Sequence, residues 1–307
     1  MLKQISLLIL CAVAIVLFAT PVHACTSAVV SGKVTLDGRP LLWKNRDTDF
    51  MRNHVDYVKG ERYDFIAVVN SANAYLKEAW MGTNSAGFAL MNTQSYNLVD
   101  VKGDEERGAA NGRVIYRALE VCATVEDFCH FLDTISKPSD IEANFGVIDA
   151  QGGAAMFEVD YYKYVMYDAN NPKDAPYGYI ARTNFSFAGK VNEGAGYVRY
   201  MEADQVLMKA SATGNITPQF IFNDLSRSFR NRMLDIDLRS GGYNRPQASG
   251  WFIDQDFIPR SSTSCSVVVQ GVKPGVKAEL TTMWTLLGYP PTGIAVPLWV
   301  KDAGKLL

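Results

Sequence analysis

Short segments in which apolar and polar residues alternate predict β-strands along most of the sequence. The first three lie at residues 26–31, 33–36 and 40–44, and Asp37-Gly38 before the third is typical of a tight hairpin turn. The later segments are rich in the β-branched and aromatic residues that strands favour. Their predicted ranges are 64–69, 79–82, 88–93, 145–148, 154–160, 164–168, 179–183, 264–271, 277–284 and 293–299.

Apolar residues at helical spacing mark the segments between these strands. Val114, Ile115 and Ala118 share one side of a predicted helix. Thr124, with Asp127 three positions later, is typical of the start of a second helix. The predicted helices cover residues 112–121, 124–132, 197–208 and 217–224.

The order of these elements decides between fold classes. Strands, a helical block, more strands, and then helices followed by strands do not alternate as a parallel doubly wound sheet requires. Two antiparallel sheets between two helical layers accommodate this order. We therefore predict an α+β fold, a four-layer αββα sandwich.

The first two dozen residues have the layout of a secretory signal peptide. Lys3 precedes an apolar run at residues 5–19, which is shorter than the ~20 residues of a membrane span, and Val22 and Ala24 stand at the small-residue positions before a cleavage point. We predict a signal peptide at 1–24 and a single domain at 25–307, exported to the periplasm or the medium without a membrane span after processing. Cleavage would make Cys25 the first residue; an uncleaved anchor is the alternative.

Charge and cysteine content narrow the function classes. The formal net charge of −2 becomes −3 when Lys3 is removed, and such a surface argues against nucleic acid as a partner. Of five cysteines, Cys11 leaves with the signal peptide, and four are too few for a disulfide scaffold. Cys122 and Cys129 lie among apolar residues, which favours buried free thiols over a bridge across a turn. Whether the protein forms a homo-oligomer stays open.

Histidine is too scarce to supply an ordinary catalytic base. Only His54, in a polar loop, and His130, in a predicted helix, remain after processing, so a Ser-His-Asp or Cys-His enzyme is poorly supported. We find no residue cluster at metal-ligand spacing and predict no metal or cofactor. An N-terminal cysteine carries its own base, because an α-amine with a pKa near ~8 can take the thiol proton.

A group of charged residues follows the first hairpin, in Lys44-Asn45-Arg46-Asp47. In a strand paired with residues 26–31, alternate members of this run would face the same side as the Cys25 sulfur, and Lys44 and Arg46 would share one face. Asn45 and Asp47 would point the other way unless the strand ends or bulges there. The alternative interpretation is a solvated strand end.

These residues resemble the beginning of a known group of enzymes. Ala24-Cys25-Thr26-Ser27, the Asp37-Gly38 hairpin and Lys44-Asn45-Arg46-Asp47 look like the start of the choloylglycine hydrolase and acyl-coenzyme A:6-aminopenicillanic acid acyltransferase group of N-terminal-nucleophile (Ntn) hydrolases. That group uses a processed N-terminal cysteine on an αββα sandwich. Residues 87–92, 144–149, 157–158, 182–185 and 283–290 resemble later segments of the group.

The resemblance implies roles for individual residues. Cys25 would be the nucleophile, Asp47 would hold its amine, and Asn92 and Asn184 would donate to the oxyanion. Arg199 is the candidate cation beside the thiolate. The bile-salt hydrolases have Arg-Asn-x-Asp where this chain has Lys44-Asn45-Arg46-Asp47, so either Lys44 or Arg46 stands in for the arginine, supporting the thiolate or the substrate. Both alternatives stay open.

The resulting prediction is a secreted hydrolase of linear amides that forms an acyl-Cys25 intermediate. Its partner would be a small-molecule amide: a conjugated bile salt, a phenoxyacetyl-type penicillin, an N-acyl amino acid or a small peptide. An acyltransferase would use the same intermediate. A different class, a lipidated and membrane-tethered binding protein, also fits the leader, because Val22-His-Ala-Cys25 partly resembles a lipid-attachment site.

Overall fold

The computed structural model describes residues 24–99, 108–240 and 256–304, and these form two large antiparallel sheets. Of the predicted signal peptide, only Ala24 lies within these ranges; residues 1–23 lie outside them. The strands are β1 (Thr26–Val30), β2 (Leu41–Asp47), β3 (Asn53–Val58), β4 (Phe65–Asn70), β5 (Met81–Asn84), β6 (Ala89–Gln94), β7 (Ala143–Ile148), β8 (Ala154–Val159), β9 (Tyr164–Asp168), β10 (Tyr179–Arg182), β11 (Arg230–Asn231), β12 (Ile236–Asp237), β13 (Thr263–Gln270), β14 (Thr282–Leu287) and β15 (Val296–Leu298).

The strand order separates the two sheets completely. The first sheet has the order β10-β1-β2-β13-β14-β15, and the second runs from β3 to β9 in sequence order. β11 and β12 form a separate pair. Every pairing between these strands is antiparallel.

Helices cover the outer face of each sheet. They are α1 (Asn111–Val121), α2 (Val125–Thr134), α3 (Tyr197–Ser211), α4 (Pro218–Phe220), which continues into a wider helical turn at Ile221–Leu225, and α5 (Val300–Ala303); short turns lie at Gly32–Val34, Ala74–Leu76 and Ala278–Leu280. Among the described residues no helix is both long and apolar enough to cross a membrane.

Three apolar clusters hold the layers together. Val29, Leu42 and Met91 belong to the cluster between the sheets. The apolar face of α1 and α2 packs on the second sheet, and α3 with the segment after it packs on the first sheet. The predicted α+β fold with four αββα layers is therefore confirmed.

Local sequence signals account for most of the elements. Thr124 and Asp127 form the predicted N-terminal cap of α2, in which each side chain accepts from the other's backbone N–H. The strand predicted at 33–36 is wrong, because Ser31 accepts a hydrogen bond from the Lys33 N–H and begins the helical turn Gly32–Val34. The polar loop predicted around His54 is also wrong, because this segment forms β3, whose polar residues fit the half-buried edge of the second sheet.

The four cysteines in the described part of the chain are free thiols. Cys122 is buried, as predicted, and Cys129 is half-buried. Burial raises the pKa of Cys122 to about 12, so this thiol stays protonated at neutral pH.

Phe128 on α2 provides a test of the outer core. Its ring lies edge-on to Phe145 and Phe157, with centroids 5.9 and 5.1 Å away. Phe128→Ala should lower the free energy of unfolding by about 3–5 kcal/mol, because it removes these contacts and leaves a cavity. Urea denaturation measures the change, and Tyr75→Ala, at a side chain 77% exposed, is the control expected to change it little. Equal stability of the two variants would contradict this account of the core.

Candidate active site

The register of β1 places Cys25 between two other strands. Thr26 pairs with Asn45 on β2, and Ser27 pairs with Arg182 on β10. Continued past the start of β1, these registers bring Cys25 beside the end of β2 and beside Asn184. The Cys25 Sγ lies 3.9 Å from the Asp47 carbonyl oxygen, and the Cys25 N–H donates to Asn184 Oδ1 at 2.8 Å.

Asn184 turns its oxygen towards the nucleophile. Arg199 Nη2 donates to the same Oδ1 at 3.0 Å, so two donors converge on it, and the amide nitrogen of Asn184 donates to the Gln94 carbonyl at 2.8 Å. Two donors require an oxygen at this position. This arrangement suits a group that holds the amine of Cys25, and the oxyanion role of Asn184 stays a prediction.

Arg199 reaches Cys25 from the first turn of α3. Its Nη1 donates to the Cys25 carbonyl at 2.6 Å and to Thr26 Oγ1 at 2.9 Å. Gly196, at φ 85°, precedes the helix, and a Cβ there would collide with the guanidinium. Arg199 is thus buried against the backbone of the nucleophile, and burial lowers its pKa.

Asp47 ends β2 and lines the same cavity as Cys25. Its Oδ1 accepts from Thr263 Oγ1 at 2.6 Å. Its Oδ2 has no hydrogen-bond donor among the described residues and lies 3.9 Å from Arg260 Nε. Burial raises the pKa of Asp47 to about 6, although Arg199 opposes the shift. Alternation predicted Asp47 on the face opposite Lys44 and Arg46 unless the strand ends or bulges. Both conditions are met, because β2 ends at Asp47 and its register with β13 shifts between Thr263 and Cys265.

Lys44 is buried at the wall of the cavity. Its ammonium donates to Asn92 Oδ1 at 2.9 Å and to the Trp80 carbonyl at 3.0 Å. Burial lowers the pKa of Lys44 to about 8, and the Cys25 thiol, when ionised, opposes this shift. Within the described ranges the amide nitrogen of Asn92 has no acceptor, so Lys44 fixes the Asn92 side chain with its NH₂ group available as a donor.

Arg46 projects from the same face of β2 as Lys44. It donates to Asn53 Oδ1 and, at 2.8 Å, to Asn70 Oδ1, and its guanidinium carbon lies 4.7 Å from the centre of the Trp80 ring. Burial lowers its pKa. The predicted face shared by Lys44 and Arg46 is therefore confirmed.

These groups surround one small cavity of about 170 Å³. Larger cavities of about 510 and 410 Å³ lie elsewhere, and no cysteine lines either of them. His54 binds Ser71 Oγ and lines none of these cavities. The described residues form no group suited to a metal ion. The small cavity is lined by Cys25, Lys44, Arg46, Asp47, Thr48, Phe50, Trp80, Asn92, Gln94, Gly108 and Asn111.

The structure adds residues that the sequence analysis did not identify. Thr263 and Arg260 contact Asp47 from more than 200 positions away in the chain, so no local spacing signals them. Asn53 and Asn70 hold Arg46 from the second sheet. Trp80 is the one with a sequence signal, because it is a large aromatic residue within the strand predicted at 79–82.

The fold and the cysteine-centred site define an Ntn hydrolase, a class of amide hydrolases and acyltransferases. The chain belongs to the family described as acyl-coenzyme A:6-aminopenicillanic acid acyl-transferase, whose model matches residues 35–221, more than half of the sequence. The match begins after Cys25, so the role of Cys25 depends on the geometry above. No curated protein matches the sequence.

Solved structures show the same fold at low sequence identity. A mutant conjugated bile acid hydrolase from Clostridium perfringens superposes with a TM-score of 0.51 at 13% identity, covering 89% of this chain and 92% of the other. A second variant of that enzyme gives 0.52 at 12% identity with the same coverages. The predicted relationship to this group is confirmed.

From the lowered pKa of Lys44 we predict that activity falls at high pH. As the pH rises past about 8, Lys44 loses its proton and with it the positive charge that favours the Cys25 thiolate. We expect kcat/KM for an acyl p-nitroanilide to fall above that pH, and Lys44→Arg to move the fall to higher pH, because arginine stays charged. Exposed Lys163→Arg is the control. An identical basic limb in Lys44→Arg and the unaltered enzyme would refute this role of Lys44.

Proposed function

We propose that this protein is an exported cysteine amidohydrolase that cleaves a linear amide C–N bond through an acyl-Cys25 intermediate. The observation that supports it most is the hydrogen bond from Cys25 N to Asn184 Oδ1 at 2.8 Å beside a sulfur that lines the cavity. In the full-length chain Ala24 precedes Cys25. Cleavage between them would leave an α-amine at a position that already has an acceptor.

The α-amine would serve as the base. It would take the proton from Sγ, the sulfur would attack the amide carbon, and the C–N bond would break as the leaving nitrogen takes up that proton. Asn92 Nδ2 is the candidate donor to the developing oxyanion. Water would then attack the thioester, release the acid and restore the thiol.

Asp47 would balance the charge of this amine. Its Oδ2 is buried and, in the described part of the chain, has no donor, which is a costly state for a carboxylate oxygen; an ammonium formed during the reaction would supply one. With a pKa of about 6, Asp47 is mostly ionised at neutral pH, as this role requires.

Hydrolysis and acyl transfer differ only in the molecule that attacks the acyl-cysteine. The predicted export of the chain separates it from cytoplasmic acyl-coenzyme A, which favours water as the acceptor. The lipidated alternative excludes catalysis, because a thioether cannot attack and an acylated amine cannot act as a base. Mass spectrometry of the mature N-terminus separates the two: an unmodified Cys25 supports the enzyme, and a lipid adduct overturns it.

Cys25→Ala should fold normally and lose more than about 1,000-fold in kcat/KM on any amide that the processed enzyme cleaves, because no nucleophile remains. Activity on a panel of acyl amides and circular dichroism measure the two properties. Exposed Met233→Ala is the control for handling and folding. Undiminished turnover by Cys25→Ala would rule out the mechanism.

A retained residue before Cys25 should also abolish activity. A chain that keeps Met directly before Cys25 has an amide in place of the α-amine and lacks the base, while its thiol is unchanged. We expect amide turnover to appear only after the extra residue is removed, as followed by N-terminal sequencing and assay of one sample. Equal activity before and after removal would show that another base operates.

Asn184→Ala should slow acylation about 100-fold with little change in substrate binding, because it removes the acceptor of the nucleophile's nitrogen and a partner of Arg199. Single-turnover kinetics separate the acylation rate from the dissociation constant. The matched control is Asn215→Ala at an exposed asparagine. A variant that weakens binding but acylates at the normal rate would assign Asn184 to substrate contact instead.

A further inference from the structure

The hydroxyl group of Thr263 forms two hydrogen bonds whose directions are fixed. Thr263 is fully buried, and its Oγ1 lies 2.6 Å from Asp47 Oδ1 and 3.0 Å from the backbone nitrogen of Arg260. A backbone N–H can only donate, so the hydroxyl accepts from Arg260 and its single proton is left for Asp47. Thr263 is therefore a donor to this carboxylate.

This hydrogen bond gives the two oxygens of the Asp47 carboxylate different surroundings. Oδ1 accepts the Thr263 proton, whereas Oδ2 has no hydrogen-bond donor within the described ranges and lies 3.9 Å from Arg260 Nε. A hydrogen bond to an anion favours the anion, so Thr263 opposes the burial that raises the pKa of Asp47. Thr263 thus favours the carboxylate form and leaves Oδ2 as the oxygen that can accept a further donor.

A bulge in β13 determines which hydroxyl reaches Asp47. Cys265 pairs with Arg46, so a regular ladder would place Ser264 opposite Asp47 and move Thr263 one residue further along β2. Instead Thr263 pairs with Asp47, and Ser264 is the extra residue, whose Oγ donates to the Arg46 carbonyl at 3.3 Å. Bulges beside active sites redirect side chains, and this bulge brings Thr263 to the carboxylate.

The same threonine closes the turn before β13. The Thr263 N–H donates to the Arg260 carbonyl at 2.8 Å, and the Arg260 N–H donates to Thr263 Oγ1. The guanidinium of Arg260 faces Asp47 Oδ2 from this turn. Thr263 thus holds both the carboxylate and the backbone of a cation that the carboxylate faces, so their relative position is set by short local contacts.

The charged groups around Asp47 come from several elements, and they are identical in every variant at position 263. The Cys25 thiol is one titratable neighbour, with Sγ 3.9 Å from the Asp47 carbonyl oxygen. The cations that favour the ionised carboxylate are Arg199 on α3, Arg260 before β13, and Lys44 and Arg46 on β2. A difference between variants at position 263 therefore reports the loss of the hydroxyl.

We propose, on the basis of the function proposed above, that Thr263 is a positioning residue of the reaction: its hydroxyl holds Asp47 by Oδ1, so that Oδ2 receives the ammonium that forms on the α-amine of Cys25. Thr263 is not among the described residues that line the cavity, so it acts on the reaction through Asp47. Without the hydroxyl, the carboxylate is free to turn or to take up a proton, and the charge that balances the ammonium is lost.

Kinetics of variants without the hydroxyl test this role. Thr263→Val keeps the shape of the side chain and removes the donor, and Thr263→Ala is a second variant without a donor. We expect each to lower kcat of the processed enzyme on an acyl p-nitroanilide about tenfold or more, with KM within about threefold, because the ammonium forms during the reaction and not on binding. Thr263→Ser, which restores the donor, should stay within about threefold of the unaltered enzyme.

Thr285→Val is the matched control. Thr285 is a buried threonine on the neighbouring strand β14, and its hydroxyl donates to the Met283 carbonyl. This variant should keep the kcat of the unaltered enzyme. An unchanged kcat in Thr263→Val, a rise in KM alone, an equal loss in Thr263→Ser, or failure of both hydroxyl-free variants to fold, as measured by circular dichroism, would overturn the proposal.

The pH dependence of stability tests the hydrogen bond without turnover, on the chain that keeps Met directly before Cys25 and so has no α-amine. The pKa of Asp47 is about 6, and loss of the Thr263 donor raises it further. At pH 5 the folded carboxyl is mostly protonated with or without the hydroxyl, whereas at pH 8 it is ionised and the hydroxyl donates to an anion. We expect Thr263→Val to lower the urea midpoint about twofold more at pH 8 than at pH 5. Equal decreases at the two pH values would overturn the proposal.

The two measurements separate failure of this proposal from failure of the proposed function. If the unaltered enzyme cleaves no acyl amide, the proposed function fails, and the stability comparison alone decides whether Thr263 holds the Asp47 carboxylate. If amides are cleaved and Thr263→Val is as active as the unaltered enzyme, the amidohydrolase stands and the role of Thr263 is overturned.

Discussion

The antiparallel pairing of β1 with strands on both of its sides is the constraint on which the candidate site depends. β1 is only five residues long, yet its two registers bring Cys25 to the end of β2 and to Asn184, which is 159 positions away in the chain. A one-residue slip of either register would turn the Cys25 sulfur to the other face of the sheet. The strand core of Ala28, Val29 and Val30 is fully buried, which holds the register in place.

Three buried cationic side chains lie around Cys25. Lys44, Arg46 and Arg199 are almost completely enclosed, and burial lowers the pKa of each. Neutral amide oxygens solvate them: Asn92 for Lys44, Asn53 and Asn70 for Arg46, and Asn184 for Arg199. Amides satisfy the N–H groups without cancelling the charge, so the positive field stays available to the thiol and to a ligand.

Local sequence signals predicted the elements that short-range physics determines. The cap of α2 and the strand at 26–30 follow from neighbouring residues, and the shared face of Lys44 and Arg46 follows from strand geometry. The helical turn at Gly32–Val34 was missed because a hydroxyl contact outweighs alternation there.

Long-range contacts limited what could be predicted of the site. Asn184 and Arg199 were identified only by resemblance to an enzyme group, since nothing near Cys25 in the sequence indicates them. Arg260 and Thr263 reach Asp47 across the first sheet through β13, a pairing that no spacing rule signals. Asn53 and Asn70, which hold Arg46, lie on strands of the other sheet, so their role appears only when the layers are assembled.

The small cavity draws its walls from both halves of the sandwich. Lys44, Arg46 and Asp47 belong to β2 of the first sheet, and Cys25 directly precedes β1 of that sheet. Asn92 belongs to β6 of the second sheet, and Trp80 directly precedes β5. A ligand that fits this cavity can bind only when the two sheets are packed together. Its binding energy therefore adds to the stability of the sandwich, and true substrates can be recognised by the rise that they cause in the melting temperature of a catalytically silent chain.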